Sequence, residues 1–577
     1  MLRRILDNVK RWCILSLLLA VNGAAWADGE LIEHYGDHYV INVEALNPDS
    51  EMTLMDVLQL CPELSFGKDL LVSSNFILFV EDIDLFLDHE TFLNMVKAQE
   101  VETIDVYMNH SVSQAAGGYE GVISIWYKKA DKDGTTGKMA VEGSTYGNGR
   151  LYADVKTQYG QLGTRSYALA DQYYAKGDLT ETGSLSMRRL MENAHVSADW
   201  DISPSDNLKL KMFQQYLDGK ENYRHDTPYE TAYSGHLGNL TLNYTHTLND
   251  KEATLKAEAG STFTSDKEST QKMCMAMPYF FAELSTPLVS DDLWMLVGWE
   301  IDYENIWIKE LNRQQFLKND FYLQLDYHRH PWFVTLGCRH ALLNYWDRHL
   351  YDDDEGRQWS HNRNATTFIA STGYNWGRNT VQGSFSRDFF IPVFADFHYA
   401  LGASGHDTDY RTNLVWRSEL RYTYQQRQWA AFGCLTHSWK TDLPTPREEL
   451  TGIMASVTWH QGPFRLTAGA NAYHQHIASG EWWNELHDNY YSLRLSPTLL
   501  LGNGLRLSST LLYNSPQKRY ETKGHLNASV KVSKNLGRSC NLYADFHDLT
   551  GMPTMSLYEA VGKYRNRALT LGMMYRF

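Results

Sequence analysis

Apolar and polar side chains alternate in segment after segment between about Lys138 and the last residue, Phe577. The final stretch, RALTLGMMYRF, has apolar residues at every second position from Leu569 onward. An alternation with period two places apolar side chains on one face of a β-strand and the intervening residues on the other. Because this pattern recurs over most of the chain, the sequence predicts strands that each have one apolar and one polar face.

Ten short polar turns separate these alternating segments, and they predict ten hairpins, hence twenty strands. A first strand near Lys138–Tyr146 and the final strand bring the prediction to twenty-two antiparallel strands. Each segment is close to the ~10 residues that a tilted strand needs to cross a membrane. The remaining connections are mostly longer, as in outer-membrane barrels, which have short turns on one side only. A soluble β-sandwich or propeller array is the alternative, but no blade-length repeat is visible.

The composition favours the transmembrane barrel. Hydrophobic residues make up 43% of the chain and aromatic residues 13%, a balance too polar for a bundle of transmembrane helices. A barrel wall needs lipid-facing apolar residues, a wet lumen and aromatic girdles at both interfaces. Closing the barrel removes the unpaired strand edge that lipid could not satisfy. The aromatic ending at Tyr575 and Phe577 resembles the signal that outer-membrane proteins present to their insertion machinery.

The N-terminus predicts export. Basic residues at positions 3, 4, 10 and 11 precede the short apolar run Cys13–Val21, and small residues at Ala25 and Ala27 form a cleavage site. Residues 1–27 are therefore expected to be a signal peptide, since the apolar run is shorter than the ~20 residues of a membrane anchor. With a net charge of −16, the chain is a poor candidate for nucleic-acid binding. Its six cysteines are scattered and predict neither a disulfide framework nor a zinc site.

Residues 28–135 differ from the rest and predict a small α/β domain that precedes a barrel of residues 136–577. The stretch Met52–Leu64 has helical spacing behind the start signal Thr53. Strands are predicted in three further segments, around NFILFVEDIDLF, VETIDVYMN and GVISIWYKK.

The order of these motifs resembles the plug of TonB-dependent outer-membrane receptors. The matching residues are Val57, Leu58 and Pro62 in the helical element, Val101, Ile104 and Val106 in the next strand, and Gly121, Ile123, Ile125 and Lys128 in the last. The resemblance implies a plug inside a 22-stranded barrel, in agreement with the count made from the turns. It also implies a Gram-negative outer-membrane receptor that binds an extracellular ligand, such as an iron chelate, cobalamin or an oligosaccharide, and imports it into the periplasm.

The plug motifs also depart from the family pattern, and a second function stays open. Glu63 stands where the family usually has glycine, and no convincing energy-coupling box is visible near the mature N-terminus. The alternative is a non-transporting barrel that acts as a surface receptor, adhesin or assembly partner. Expected partners are outer-membrane lipid, the barrel-assembly machinery and, for the transporter, the inner-membrane TonB energy-coupling complex; a monomer is expected.

No set of residues predicts catalysis, so we expect neither an enzyme nor a cofactor. The best candidate for ligand binding is the stretch Tyr473–Tyr491, on the side of the longer connections. Its candidate residues are His474, His476, Trp482, Trp483, Glu485 and His487. Imidazole and carboxylate groups can bind a metal or haem, and the tryptophans can stack on a sugar. The simpler interpretation, a solvated loop beside the aromatic girdle, is favoured, and no metal site is predicted.

Overall fold

A computed structural model describes most of the chain from Ile32 to Phe577. The described residues are 32–35, 38–45, 52–58, 76–80, 83–84, 93, 96–107, 121–128, 133–145, 147–178, 184–224, 229–248, 253–268, 271–308, 312–349, 358–390, 413–426, 428–441, 447–478, 485–501, 504–517, 524–537, 539–547, 549, 563–564 and 568–577. The predicted signal peptide and Pro62 lie outside them. Among the described residues, no helix is both long and apolar enough to cross a membrane.

The N-terminal part forms a small six-stranded sheet, which we call the plug sheet. Its strands are β1 (Ile32–His34), β2 (Tyr39–Asn42), β3 (Phe76–Val80), β4 (Ile83–Asp84), β5 (Val101–Tyr107) and β6 (Gly121–Tyr127). They lie in the order β1-β2-β5-β6-β3-β4, with β3 and β6 parallel and the other neighbours antiparallel. Ile104, Val106, Ile123 and Ile125, predicted plug-motif residues, are fully buried in its core.

One short helix, α1 (Leu54–Leu58), packs on the plug sheet and buries Leu54, Val57 and Leu58. A capping box fixes its start: the backbone N–H of Asp56 donates to Thr53 Oγ1 at 3.3 Å, and that of Thr53 donates to the Asp56 carboxylate at 2.9 Å. This reciprocal pair satisfies backbone donors that the helix cannot pair internally. The helix predicted over residues 52–64 is thus present at its N-terminal end, and residues 59–64 lie outside the description.

The remaining strands form one closed antiparallel barrel. They are β7 (Gly134–Ser144), β8 (Gly149–Tyr159), β9 (Leu162–Asp178), β10 (Ser184–Ser203), β11 (Asp206–Arg224), β12 (Tyr229–Thr247), β13 (Thr254–Glu268), β14 (Gln271–Pro287), β15 (Leu293–Ile308), β16 (Asn312–Arg329), β17 (Trp332–His349), β18 (Gln358–Trp376), β19 (Asn379–Phe390), β20 (Asn413–Gln426), β21 (Trp429–Thr441), β22 (Glu448–Gln461), β23 (Phe464–Ile477), β24 (Leu486–Leu501), β25 (Leu505–Asn514), β26 (His525–Leu536), β27 (Cys540–His547), β28 (Lys563–Tyr564) and β29 (Ala568–Arg576). Apart from the two-residue β28, which pairs with β9, they make the predicted 22 strands.

The last strand closes the barrel. β29 pairs with β27 on one side and with β7 on the other, where Leu571 lies opposite Gly143. The backbone N–H of Phe577 donates to the Gly137 carbonyl at 2.9 Å, and the Gly137 N–H donates back at 3.0 Å. The terminal alternating segment therefore removes the edge that an open sheet would expose.

Each predicted short turn joins two successive barrel strands. In two of them, Gly160 and Gly377 have φ of 55° and 61°, a left-handed conformation that glycine adopts without steric cost and that tight hairpins need. Strands such as β10, with 20 residues, exceed the expected ~10 residues and extend on the side opposite the short turns, whereas β27 has only 8. Long hairpins can continue beyond a membrane because each strand satisfies its neighbour's backbone groups.

The two faces of the wall differ as the alternation predicts. Leu151 and Leu571 point outward and are 60% and 57% exposed, whereas Tyr152 and Met574, which have the opposite parity on the same strands, face the lumen and are 4% exposed. Tryptophans such as Trp332, at the short-turn end of β17, lie on the outer face. An apolar outer surface with aromatics near its border suits a lipid bilayer.

Candidate functional site

The plug sheet lies inside the barrel, and glutamines of the wall hold its outer edge. The backbone N–H of Ile32 donates to Gln425 Oε1 at 3.1 Å, while Gln425 Nε2 donates to the Ile32 carbonyl at 2.7 Å. Gln382 Nε2 donates to the carbonyl of Tyr35 at 3.0 Å. β1 is an edge strand with backbone groups that need partners, and these amides replace the missing neighbour.

Two charged contacts fix the plug at other points of the wall. Lys138 Nζ on β7 lies 2.7 and 2.6 Å from the two carboxylate oxygens of Glu100. Arg506 Nη2 on β25 donates to the Asp56 carboxylate at 3.3 Å. Burial opposes ionisation of Asp56, but the positive charge of Arg506 and the hydrogen bonds from Thr53 outweigh it and hold the pKa of Asp56 below its usual value.

Cations of the wall also lie over tyrosine rings of the plug. The Arg165 guanidinium is 3.4 Å from the ring centre of Tyr127, and that of Arg421 is 4.9 Å from the ring centre of Tyr39. Such contacts are electrostatic attractions between a cation and the ring face. Burial and the nearby Arg421 lower the pKa of His34 to about 3, so this plug histidine is neutral at physiological pH.

A cavity of about 1300 Å³ separates one side of the plug from the wall formed by strands β8 to β17, at the short-turn end. Aromatic rings line its plug side: Tyr35 stacks on His38 with centroids 4.8 Å apart, and His38 stacks on Tyr107 at 4.6 Å. Acidic side chains outnumber basic ones along the cavity. They are Glu102, Asp105, Asp199, Asp201, Glu258, Glu283, Asp291, Glu300 and Asp326, against Lys128, Lys156, Arg165, Lys209 and Lys256.

Sequence reasoning missed a charged network on the inner wall. Arg339 on β17 is 1% exposed and binds the carboxylates of Asp320 and Glu300, while Lys318 bridges Glu300 and Asp302 at 3.1 and 2.7 Å. Buried charges need such pairing because leaving water is costly. The signal was present in the sequence, since Lys318 and Asp320 share one parity on β16 and therefore one face of the strand.

The structure brings together part of the predicted loop site. His474 and His476 lie near the end of β23, His487 is the second residue of β24, and Glu485 immediately precedes that strand. His476 lies directly opposite His487, with ring centroids 4.3 Å apart and planes at 1°. Nε2 of each ring is 3.2 Å from Glu485 Oε1. Trp482 and Trp483 lie outside the described residues.

These histidines do not face the lumen. On β23 the inward residues are Thr467, Asn471 and Gln475, all buried, and His474 and His476 have the opposite parity. On β24 His487 shares its parity with Leu493, which is 49% exposed on the outer wall. Since successive side chains point to opposite faces, the cluster lies outside the barrel, at the end remote from the short turns.

At the opposite end of the barrel, Tyr575 and Phe577 are about half exposed on the outer wall, with ring centroids 6.4 Å apart.

Comparisons with known proteins connect this architecture to a group of receptors. No protein-family model and no curated protein sequence matches the chain. Among solved structures, the siderophore receptor PirA from Pseudomonas aeruginosa matches with a TM-score of 0.68 and 14% identity, covering 94% of this chain and 100% of that one. The ferric-catecholate import receptor Fiu from E. coli matches with a TM-score of 0.69 and 11% identity over 94% and 97%.

The copper transporter OprC matches with a TM-score of 0.72 and 10% identity, over 94% of this chain and 100% of its own. At identities this low, structural similarity shows the fold alone. The similarity extends over 94% of the chain. The plug sheet inside a closed barrel of 22 strands is the arrangement that the sequence motifs implied. The chain has the plug-and-barrel fold of the TonB-dependent outer-membrane receptors.

Proposed function

We propose that this protein is an outer-membrane receptor that binds an extracellular ligand and imports it into the periplasm by TonB-driven displacement of the plug. The observation that carries the proposal is the way in which the plug is held. Glutamine amides, two ion pairs and cation–ring contacts join it to the wall. Water can replace such polar contacts, since an exchanged hydrogen bond is worth only about 0.5–1.5 kcal/mol and one to a charged group about 1.5–3 kcal/mol.

The distribution of apolar residues supports a plug that can move. Ile104, Ile123 and Leu54 pack against one another within the plug, and a few lumenal side chains such as Tyr152 and Phe213 extend this core to the wall. A shift of the plug would therefore leave most of its own core buried. The acidic cavity beside the plug, about 1300 Å³ at the short-turn end, would provide space for a hydrated ligand on its way to the periplasm.

The proposed ligand class rests on the names of structurally similar proteins. Structurally similar proteins are named as siderophore, iron and copper receptors or transporters, which supports an iron chelate or metal complex as the ligand. Cobalamin and oligosaccharides remain in the proposal.

We further propose three segments: a signal peptide of residues 1–27 that directs export, a plug of residues 28–135 and a barrel of residues 136–577. We also propose insertion by the barrel-assembly machinery and a monomer in outer-membrane lipid.

A cross-link between plug and wall tests the proposal. In a cysteine-free background, Asp56→Cys and Arg506→Cys place thiols at a contact between residues 450 positions apart. A short bifunctional thiol reagent should abolish energised uptake while surface binding of the ligand persists. Either single cysteine variant, treated in the same way, is the control. The ligand comes from a growth screen of a deletion strain on iron sources, cobalamin and glycans.

The outcomes separate the two functions. Uptake that continues after complete cross-linking would contradict displacement of the plug. If no ligand in the screen gives uptake that a protonophore abolishes, the protein is the non-transporting receptor, adhesin or assembly partner. Deletion of residues 28–132 leaves β7 intact and should open a large, non-selective conductance in planar bilayers. A deletion variant that stays electrically closed would contradict the plug assignment.

A further inference from the structure

The outward-facing histidine cluster has the composition of a metal site. Two imidazoles and a carboxylate, from His476, His487 and Glu485, present ligand atoms that all lie within 4.8 Å of one another. Such nitrogen-rich sets favour Zn²⁺, Cu²⁺ or Ni²⁺, whereas Mg²⁺ and Ca²⁺ prefer oxygen ligands alone. Among the described residues, this is the group of His, Cys, Asp and Glu side chains that meets the spacing of a metal site.

The distances fit a small tetrahedral ion. Metal–nitrogen and metal–oxygen bonds of zinc are about 2.0–2.2 Å, so neighbouring ligand atoms of a tetrahedral site lie about 3.3 Å apart. Nε2 of His476 and Nε2 of His487 each lie 3.2 Å from Glu485 Oε1. Because the two rings are stacked with their planes 1° apart, rotation of the imidazole side chains is needed to aim both Nε2 lone pairs at one ion. An ion bound in this way would replace two hydrogen bonds with three coordinate bonds, without a change of strand register.

The barrel wall supplies the scaffold that holds these ligands. His476 and His487 are directly opposed on paired strands, β23 and β24, where side chains on one face are neighbours. On the other side of His476, β22 places Glu449 opposite it, and Glu449 Oε2 lies 4.0 Å from His476 Nδ1. At 4.0 Å this contact is an ion-pair distance and not a hydrogen bond, so Glu449 places a further negative charge beside the cluster.

We propose that His476, His487 and Glu485 bind a divalent transition-metal ion, such as Zn²⁺ or Cu²⁺, on the outer wall of the barrel at its extracellular end. The ion ties the ends of β23 and β24 to the residue that precedes β24. Side-chain exposures of 28%, 54% and 59% for His476, His487 and Glu485 leave the site open to solvent. Because the site lies outside the lumen, it is independent of the proposed transport route.

Titration of the full-length protein with Zn²⁺ tests the site. The protein is purified without a polyhistidine tag, stripped of metal and studied in detergent by calorimetry. We expect one ion per chain, and His476→Asn or His487→Asn should weaken binding at least about tenfold. His437→Asn is the matched control: this histidine lies on β21, paired with Thr451 of β22 and hydrogen-bonded to it at 2.8 Å, but outside the cluster. It should bind Zn²⁺ like the wild type.

Electron paramagnetic resonance with Cu²⁺ as the probe gives a second readout. Two coordinated imidazoles produce nitrogen hyperfine structure, and His476→Asn should reduce it to the pattern of one. Heat-modifiable mobility confirms that every variant is folded. The proposal is overturned if the wild type binds no stoichiometric Zn²⁺, if both asparagine variants bind like the wild type, or if the copper spectrum shows no imidazole nitrogen.

Discussion

The plug sheet and the barrel wall follow the same alternating pattern but turn their apolar faces to opposite surroundings. In the plug, Ile104 and Ile123 are fully buried. In the wall, Leu151 and Leu571 are more than half exposed, while charged residues such as Arg339 and Asp320 are buried on the lumenal side. Alternation therefore specifies two faces of a strand but not which face meets protein. An outer surface with so many exposed apolar residues is prone to aggregation in water and suits a lipid bilayer.

The largest effect is expected from a charge in the plug core. Ile104→Asp places a carboxyl group at a fully buried position of β5. Such burial raises a carboxyl pKa by about 3–5 units, equivalent to about 4–7 kcal/mol, which should unfold the plug while the barrel remains. The measurement is protease sensitivity of the plug in assembled protein. Thr103→Asp, on the adjacent half-buried position, is the control and should leave the plug protected. Equal sensitivity of both variants would mean that β5 does not separate a core face from a polar one.

The next effect concerns the lipid face of the wall. Leu571→Arg should destabilise the barrel by about 2–4 kcal/mol if the site is near the membrane midplane. Thr570→Arg, on the lumenal face opposite Asp545, should cost much less. Heat-modifiable mobility in outer-membrane fractions separates folded from unfolded barrel. Equal losses from both substitutions would contradict the assignment of the two faces.

Acid should lower the free energy of unfolding of the plug. Free histidine titrates near 6.5, whereas the pKa of His34 is lowered to about 3. Between these two pKa values, His34 binds a proton in the unfolded plug but not in the folded one. The full stability is present above about pH 6.5, and about 2 kcal/mol is lost by pH 5. Cleavage of the plug by a protease active from pH 5 to 8 measures this loss, and His34→Gln should flatten the pH profile. An unchanged slope in that variant would assign the effect to other groups.

The smallest effect is expected at the chain end. Deletion of Phe577 removes two backbone hydrogen bonds to Gly137, each worth about 0.5–1.5 kcal/mol. It also removes the proposed insertion signal. The amount of assembled barrel should fall more than its resistance to heat, as gel mobility and yield together report. Phe577→Tyr keeps the aromatic ring and should assemble normally; poor assembly of this variant would show that an aromatic end is insufficient.

The barrel could be predicted from the sequence because the features that specify it, strand alternation and turns, are local. Each strand shows its two faces in its own alternation, and the turns give the strand count without knowledge of any distant contact. The outward position of His474 and His476 was also readable, since they share the parity of Ala470 and Ala472 rather than of the polar Asn471. The long hairpins were not predicted, because on the side opposite the short turns the sequence has no signal that marks where the alternating strands end.

The sequence by itself determined the number of strands, the two faces of the wall and the closing role of the last segment, since all three follow from local periodicity and turn chemistry. Only the tertiary structure decided which residues hold the plug. Asp56 meets Arg506 and Ile32 meets Gln425 across 450 and 393 positions of the chain. The meeting of His476 with Glu485 and His487 depends on the register of the paired strands β23 and β24, whereas the plug contacts and the cavity beside the plug depend on barrel closure. Those positions are set by the packing of the whole wall, and no single segment contains that information.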